Sequence, residues 1–280
     1  MRVGARVLPI AASSIKRGIL RELLNRRLRL GSGSEFAITA EGREMLFVAF
    51  VIERWLHSAP EGPLHFDGEE ARAAVAALVD GWCSTLMHTL AREPLTLPEL
   101  DRSIEGLSRG ELKRRLDAML RSGLVEAHPS DGEGALYAVT DWLRAGIAPV
   151  IAAARLERRE PREDMAPIAD LDIEAAFFLS LPLLRLPPEL SGSCRLGVEM
   201  PEEQPSHLAG VTACIEEGRV TSCAGRLDLP ADTWAAGPAA DWLDSVIAPN
   251  GKPIRTGGDQ WLARALLGAL HETLFGVPVR

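Results

Sequence analysis

Gly106, Ser108 and Gly110 spell G-x-S-x-G, the turn on which serine hydrolases mount their nucleophile. That chemistry needs a buried apolar strand immediately before the serine. The preceding "LTLPELDRSIE" instead places Leu97, Leu100 and Ile104 at i, i+3 and i+7 with charges between them, the pattern of a short amphipathic helix. Ser108 has a simpler use with Glu111 three residues on: the two form a capping box that starts a helix. Other catalytic patterns are equally thin. The six histidines show no metal-ligand spacing, and His271-Glu272 is not followed by the second histidine of H-E-x-x-H. The four cysteines (Cys83, Cys194, Cys214, Cys223) form no C-x-x-C pair. "NGKP" lacks the glycine-rich lead of a phosphate loop. The expectation is therefore no catalytic group, no metal site, no cofactor and no enzyme.

A second kind of chemistry is neutralisation of phosphate by clustered cations. "GLSRGELKRRLDAMLRSGLV" predicts a helix with Leu112, Leu116, Met119 and Leu120 on one face. Gly110, Arg114, Asp117 and Arg121 fall opposite, flanked by Lys113 and Arg115, and Gly123 is placed to end the helix in a left-handed cap. "LVEAHP", "SDGEGA" and "LYAVT" then read as strand, turn and strand. Short helix, tight turn, basic helix and hairpin is the order of a winged helix-turn-helix, whose second helix enters a major groove. Ser108, Arg109, Lys113 and Arg114 are its candidate DNA contacts.

The unit is repeated. "GSGSEFAIT" (31–39) matches "GEGALYAVT" (132–140) at a spacing of 101 residues, and each runs into a long helix. "SSIKRGILRELLNRR" supplies a matching basic helix, with Ile15, Ile19 and Leu23 as its apolar stripe and Ser13, Ser14, Lys16, Arg17 and Arg21 as candidate DNA contacts. The second copy opens with "EEARAAVAALVDGWCSTLMHTLARE", read as one helix, for which the first copy has no counterpart. The helix around "LFVAFVIERW" is apolar on more faces than a surface helix needs, so it should be covered by the second unit or by another subunit. Residues 1–60 carry 10 Lys/Arg against 5 Asp/Glu, while residues 61–160 carry 12 against 17 and residues 161–280 carry 9 against 17. The overall charge of −8 thus conceals a basic N-terminal end. Lys16 and Arg17 are accordingly expected to matter more to DNA affinity than Lys113 and Arg114.

On these motifs, residues 65–160 resemble HxlR-type winged-helix transcriptional regulators, and residues 12–56, through "FAITAEGREML", resemble a truncated copy. The resemblance implies binding to double-stranded DNA. Family members carry one such unit per chain and act as homodimers, so two units in one chain would mimic a dimer.

Beyond the charged linker "ERREPREDM", "DIEAAFFLSLPLLRL" reads as a helix and "SCRLGVEM" as a strand. "LAGVTACIEEGRVTSCAGRL" reads as a hairpin turning at Glu217-Gly218, with Thr212 opposite Cys223. "DTWAAGPAADWLDSVI" reads as a helix, and "GKPIRTGGDQWLARALLGALHETLF" as a strand leading into the last helix. "PIRTGGDQWLARALLGAL" is similar to the end of sterol-carrier-protein-2-like domains, which enclose an apolar cavity. Phe177, Phe178, Leu181, Trp234, Trp242 and Trp261 are the candidate lining for a hydrophobic or aromatic ligand.

The expected fold is α+β: a truncated winged-helix unit (1–60), a second unit (61–160), and a ligand-binding or dimerisation domain (165–280) with a small antiparallel sheet covered by helices. No run of apolar residues approaches the roughly 18 of a membrane span, and the N-terminus lacks a signal-peptide pattern. The expected protein is a cytoplasmic, homo-oligomeric, ligand-responsive regulator. The rival is a small-molecule-binding or drug-sequestering protein of regulator descent that no longer reads DNA.

Overall fold

The computed structural model describes residues 40–81, 84–129, 134–159, 168–200, 207–248 and 254–276. The candidate contacts Ser13, Ser14, Lys16, Arg17 and Arg21, with the first wing, lie outside the described residues. The fold is α+β, with a small antiparallel sheet and a larger mixed one.

The first described helix, α1 (Ala40–His57), is the long helix expected after the first wing. The helix expected over residues 69–93 is described in two stretches, α2 (Glu69–Gly81) and α3 (Ser84–Arg92), with residues 82–83 outside the described residues. There follow the short strand β1 (Leu95–Thr96), α4 (Leu97–Ser103), α5 (Arg109–Arg121) and the hairpin β2 (Val125–Pro129) and β3 (Ala135–Val139). β1 was not legible in the sequence. It pairs with β3 through Leu95 opposite Tyr137, giving the antiparallel order β1-β3-β2. The helix expected from Asp141 onward is two, α6 (Asp141–Ala145) and α7 (Ile147–Arg159), separated at Gly146. Pro149 lacks the N–H that would bond back to Ala145, so the ladder breaks there.

Sequence logic is most visible around α5. Ser108 Oγ accepts from the Glu111 amide, while the Glu111 carboxylate accepts from the Ser108 amide at 3.0 Å. Those bonds to Ser108 also hold the Glu111 carboxyl below the ordinary range. At the other end the Leu124 amide donates to Met119 and the Gly123 amide to Leu120, a Schellman closure in which Gly123 takes φ +69. Thr140 then fastens the hairpin to this end: its hydroxyl lies 2.9 Å from the Gly123 carbonyl and accepts from the Leu143 amide.

The C-terminal part begins with α8 (Asp170–Ser180) and a 3-10 turn (Leu181–Leu183). Its strands are β4 (Gly192–Met200), β5 (His207–Glu216), β6 (Arg219–Ala224), β7 (Thr233–Pro238) and β8 (Arg255–Gly258), with α9 (Ala239–Ile247) before β8 and α10 (Gln260–Phe275) after it. The sheet order is β6-β5-β4-β7-β8, and β4 runs parallel to β7. The sheet is therefore mixed rather than antiparallel. The stretch 233–238, expected as helix, is a strand: Ala235 and Ala236 sit between two neighbours, where pairing overrides the helical preference of alanine. The β5–β6 turn falls at Glu217-Gly218 as expected, with both residues at positive φ. A bulge after Cys214 shifts the register by one from the expected pairing, so Ala213 faces Cys223 and Thr212 faces Ala224.

One face of this sheet, carrying Leu196, Val198, Val211 and Ala213, is buried under α8, α9 and α10. The buried apolar residues, from Val48 in α1 to Phe275 in α10, form one continuous core. It crosses the boundary expected near residue 160 without interruption.

Candidate functional site: a basic helix and an apolar cavity at the seam

Two features carry chemistry. The first is the outward face of α5. Leu112, Leu116 and Met119 are buried against α2 and the hairpin base, which fixes the rotation of the helix. Arg109, Gly110, Lys113, Arg114 and Arg121 are thereby left exposed on the other side. Ser108 stands at the start of this face, its hydroxyl 2.7 Å from the Glu111 carboxylate. Helix α4 precedes it, so the strand that a nucleophile elbow requires is not there. The exposed part of the hairpin is less basic: Glu126 and His128 lie side by side at 3.1 Å.

The second feature is a cavity of about 90 Å³ where the helix leaving the hairpin meets the C-terminal sheet. Ile151 of α7 forms one wall, Ala176 and Phe177 of α8 another, and Trp242 and Val246 of α9 a third, with Val198 of β4 as floor. The lining is almost wholly carbon. Its one hydroxyl, on Ser180, bonds the Phe177 carbonyl at 3.4 Å. Trp242 is held by its indole N–H, which donates to the Gly197 carbonyl at 2.9 Å, and Phe177 meets it edge-on with centroids 5.3 Å apart. An orienting aromatic pair with no competing polar group suits a hydrophobic occupant.

Of the six residues expected to line a pocket, Phe177 and Trp242 do so. Phe178 turns the other way, with His88 against its ring edge and Arg92 above it. Leu181 is buried in the core. Trp234 is 38% exposed on the open face of the sheet, and Trp261 is 62% exposed in the first turn of α10. Ile151 was missed because it belongs to the helix that follows the hairpin, on the far side of the linker.

The chain matches no family model, no curated protein and no solved structure.

The seam around the cavity is closed by polar contacts. Arg155 of α7 donates to Asp244 of α9 at 2.7 Å and to Glu44 of α1 at 2.9 Å, joining three helices through one guanidinium. Arg144 of α6 donates to the Phe178 carbonyl at 2.8 Å, near the C-terminal end of α8. Arg54 of α1 does the same at the end of α10, donating to the Thr273 and Gly276 carbonyls. Cations at helix C-termini oppose the partial negative charge there. Ser84 of α3 donates to Asp172 of α8, and His88 of α3 pairs with Glu174 of α8 at 2.8 Å.

Among the described residues, no group of three or more His, Cys, Asp or Glu side chains is arranged to hold a metal ion. Cys194 is buried, and loss of solvation pushes its thiol up to about 12. Cys223 is pushed up to about 12 by burial, with the Glu174 carboxylate adding to it. Both are therefore poor nucleophiles. Among the described residues, no helix is long and apolar enough to cross a membrane.

Proposed function

We propose that this chain is a cytoplasmic DNA-binding regulator. Residues 95–139 act as a winged helix-turn-helix, and the seam cavity takes the ligand to which it responds. The observation that supports DNA binding is the build of α5. Its caps and buried leucines fix it so that Arg109, Lys113 and Arg114 project together from an exposed helix after a tight turn. Thirteen residues give about 20 Å of helix, enough to lie along a groove about 12 Å wide. The sequence of residues 13–27, which lie outside the described residues, would supply a second basic helix in a tandem arrangement. Phosphate contacts would supply most of the affinity, and side chains at the start of α5 the choice of sequence.

The test is binding to duplex DNA as a function of salt, using fragments selected from the source genome. Each lost phosphate contact lowers the slope of log affinity against log salt by about 0.9, so K113A/R114A should lower it by about 1.8. The pair K16A/R17A should have the larger effect on affinity. A slope of zero for the parent chain refutes DNA binding.

The near-absence of polar lining in the cavity supports ligand response, and it alone would serve the rival reading, a sequestering protein that does not bind DNA. A hydrophobic compound at 100 times its dissociation constant should stabilise the chain by about 2.7 kcal/mol in a thermal melt. Ala176→Phe, which fills the cavity from α8, should abolish that shift. Trp242 fluorescence should report the binding, whereas Trp234 and Trp261 should not. DNA release on ligand addition separates regulator from sequestering protein, since a ligand shifts an equilibrium only by its differential affinity for the two states.

A further inference from the structure

Helix α1 is buried on one side by α7 and touches α10 through Phe47 and Phe275, whose rings are 6.0 Å apart. The expectation that this helix is covered is therefore met within the chain for Val48, Val51, Ile52, Trp55 and Leu56. It is not met on the opposite side. Arg43, Leu46, Phe50, Glu53 and His57 are all exposed, with Leu46 at 49% and Phe50 at 48%. Their spacing alternates three and four residues, which draws one narrow seam along the helix, the spacing by which one helix packs on another. Two large apolar side chains, each about half exposed, stand one turn apart at the centre of such a seam.

The order of residues along the seam identifies the occupant. Leu46 and Phe50 lie two residues either side of the level of Val48, and Arg43 and Glu53 lie five residues either side. When two copies of one helix cross antiparallel about a two-fold axis, positions equally far from the crossing meet. A crossing level with Val48 sets Leu46 against the partner's Phe50, and Arg43 against the partner's Glu53, each contact occurring twice. Neither Arg43 nor Glu53 forms an ion pair among the described residues. A parallel pairing would set Arg43 on Arg43 and Glu53 on Glu53, so charge selects the antiparallel one.

We infer that the Arg43–His57 seam of α1 is an isologous interface, and that its partner is a second copy of this chain. One helix crossing lies at the small end of specific interfaces, below about 1,200 Å² in total. The association is therefore a reversible one in the micromolar range.

Sedimentation equilibrium of the full chain from about 1 to about 200 µM reads that range directly. The parent chain is expected to pass from monomer to dimer. R43E and E53R, each alone, place like charges across the two-fold twice and should remain monomeric. An equimolar mixture of R43E and E53R restores both contacts, because the first variant offers two carboxylates and the second two guanidinium groups, so the mixture should associate again. A parent chain that stays monomeric overturns the inference. So does an R43E chain that dimerises like the parent, or a mixture that stays monomeric. The mixture keeps the test sound against misfolding, since a misfolded chain is not rescued by its opposite.

Discussion

Trp142→Ala should lower the stability of the chain by about 4 kcal/mol, within the range for truncating a buried indole. Trp142 of α6 and Trp55 of α1 stack with centroids 4.8 Å apart and planes 15° from parallel. Each indole N–H donates 2.9 Å to the backbone carbonyl of the other residue. Truncating the Trp142 ring therefore removes its packing, the stacked partner of Trp55 and one half of a reciprocal hydrogen-bond pair, while the backbone carbonyl of residue 142 still accepts from the Trp55 indole. The Trp55 carbonyl loses one donor, and the Trp55 indole N–H loses its stacked neighbour. Trp142→Phe keeps most of the volume but not the donor, and should cost about 1 to 2 kcal/mol. Urea melts of the two variants check the order. If Phe is as damaging as Ala, the hydrogen bond and not the packing dominates; if both are silent, α1 is not held by this pair.

Arg155→Ala should cost about 3 kcal/mol, the next largest effect. Its guanidinium serves Glu44 and Asp244 together, and its side chain is largely shielded from solvent. Removing it takes the shared cation from both carboxylates at once, and breaking a shielded pair from one side is the costly way to break it. Glu44→Gln combined with Asp244→Asn removes the same ion pairs without leaving like charges, and should cost less. A double-mutant cycle between Arg155 and Asp244 measures the coupling. A coupling near zero would mean that solvent already satisfies both carboxylates. Because Arg155 is one turn beyond Ile151 on α7, its loss should also weaken the ligand-induced thermal shift.

The local parts of this fold were legible because their causes are local. Ser108 and Glu111 announce the start of α5, Gly123 announces its end, and Glu217-Gly218 places a hairpin turn, each through a few neighbouring residues. The match between residues 31–39 and 132–140 correctly pointed to a long helix at Ala40–His57. What escaped had distant causes. β7 looks helical by composition and becomes a strand only because β4 and β8 lie on either side of it. β1 is two residues long and exists only by pairing with β3. The bulge after Cys214 moves the β6 register without any mark in the sequence. The cavity was half legible: Phe177 and Trp242 are apolar aromatics in the expected part, but Ile151 joins them only once α7 docks. Trp234 and Trp261 show the converse, since an aromatic residue advertises size and not direction.

The continuous core has a consequence for how the molecule comes apart. Arg54 and Arg144 reach across the seam to the ends of α10 and α8, and the cavity takes walls from both sides. A piece beginning after the charged linker would lose the Ile151 wall and leave two helix ends stripped of their guanidinium partners. The piece ahead of it would expose the faces of α1 and α3 that now rest on α10 and α8. The buried apolar residues on the two sides of the boundary near residue 160 join in one continuous core, so the two sides share an interior. Heat should therefore take the described chain apart as a single cooperative transition.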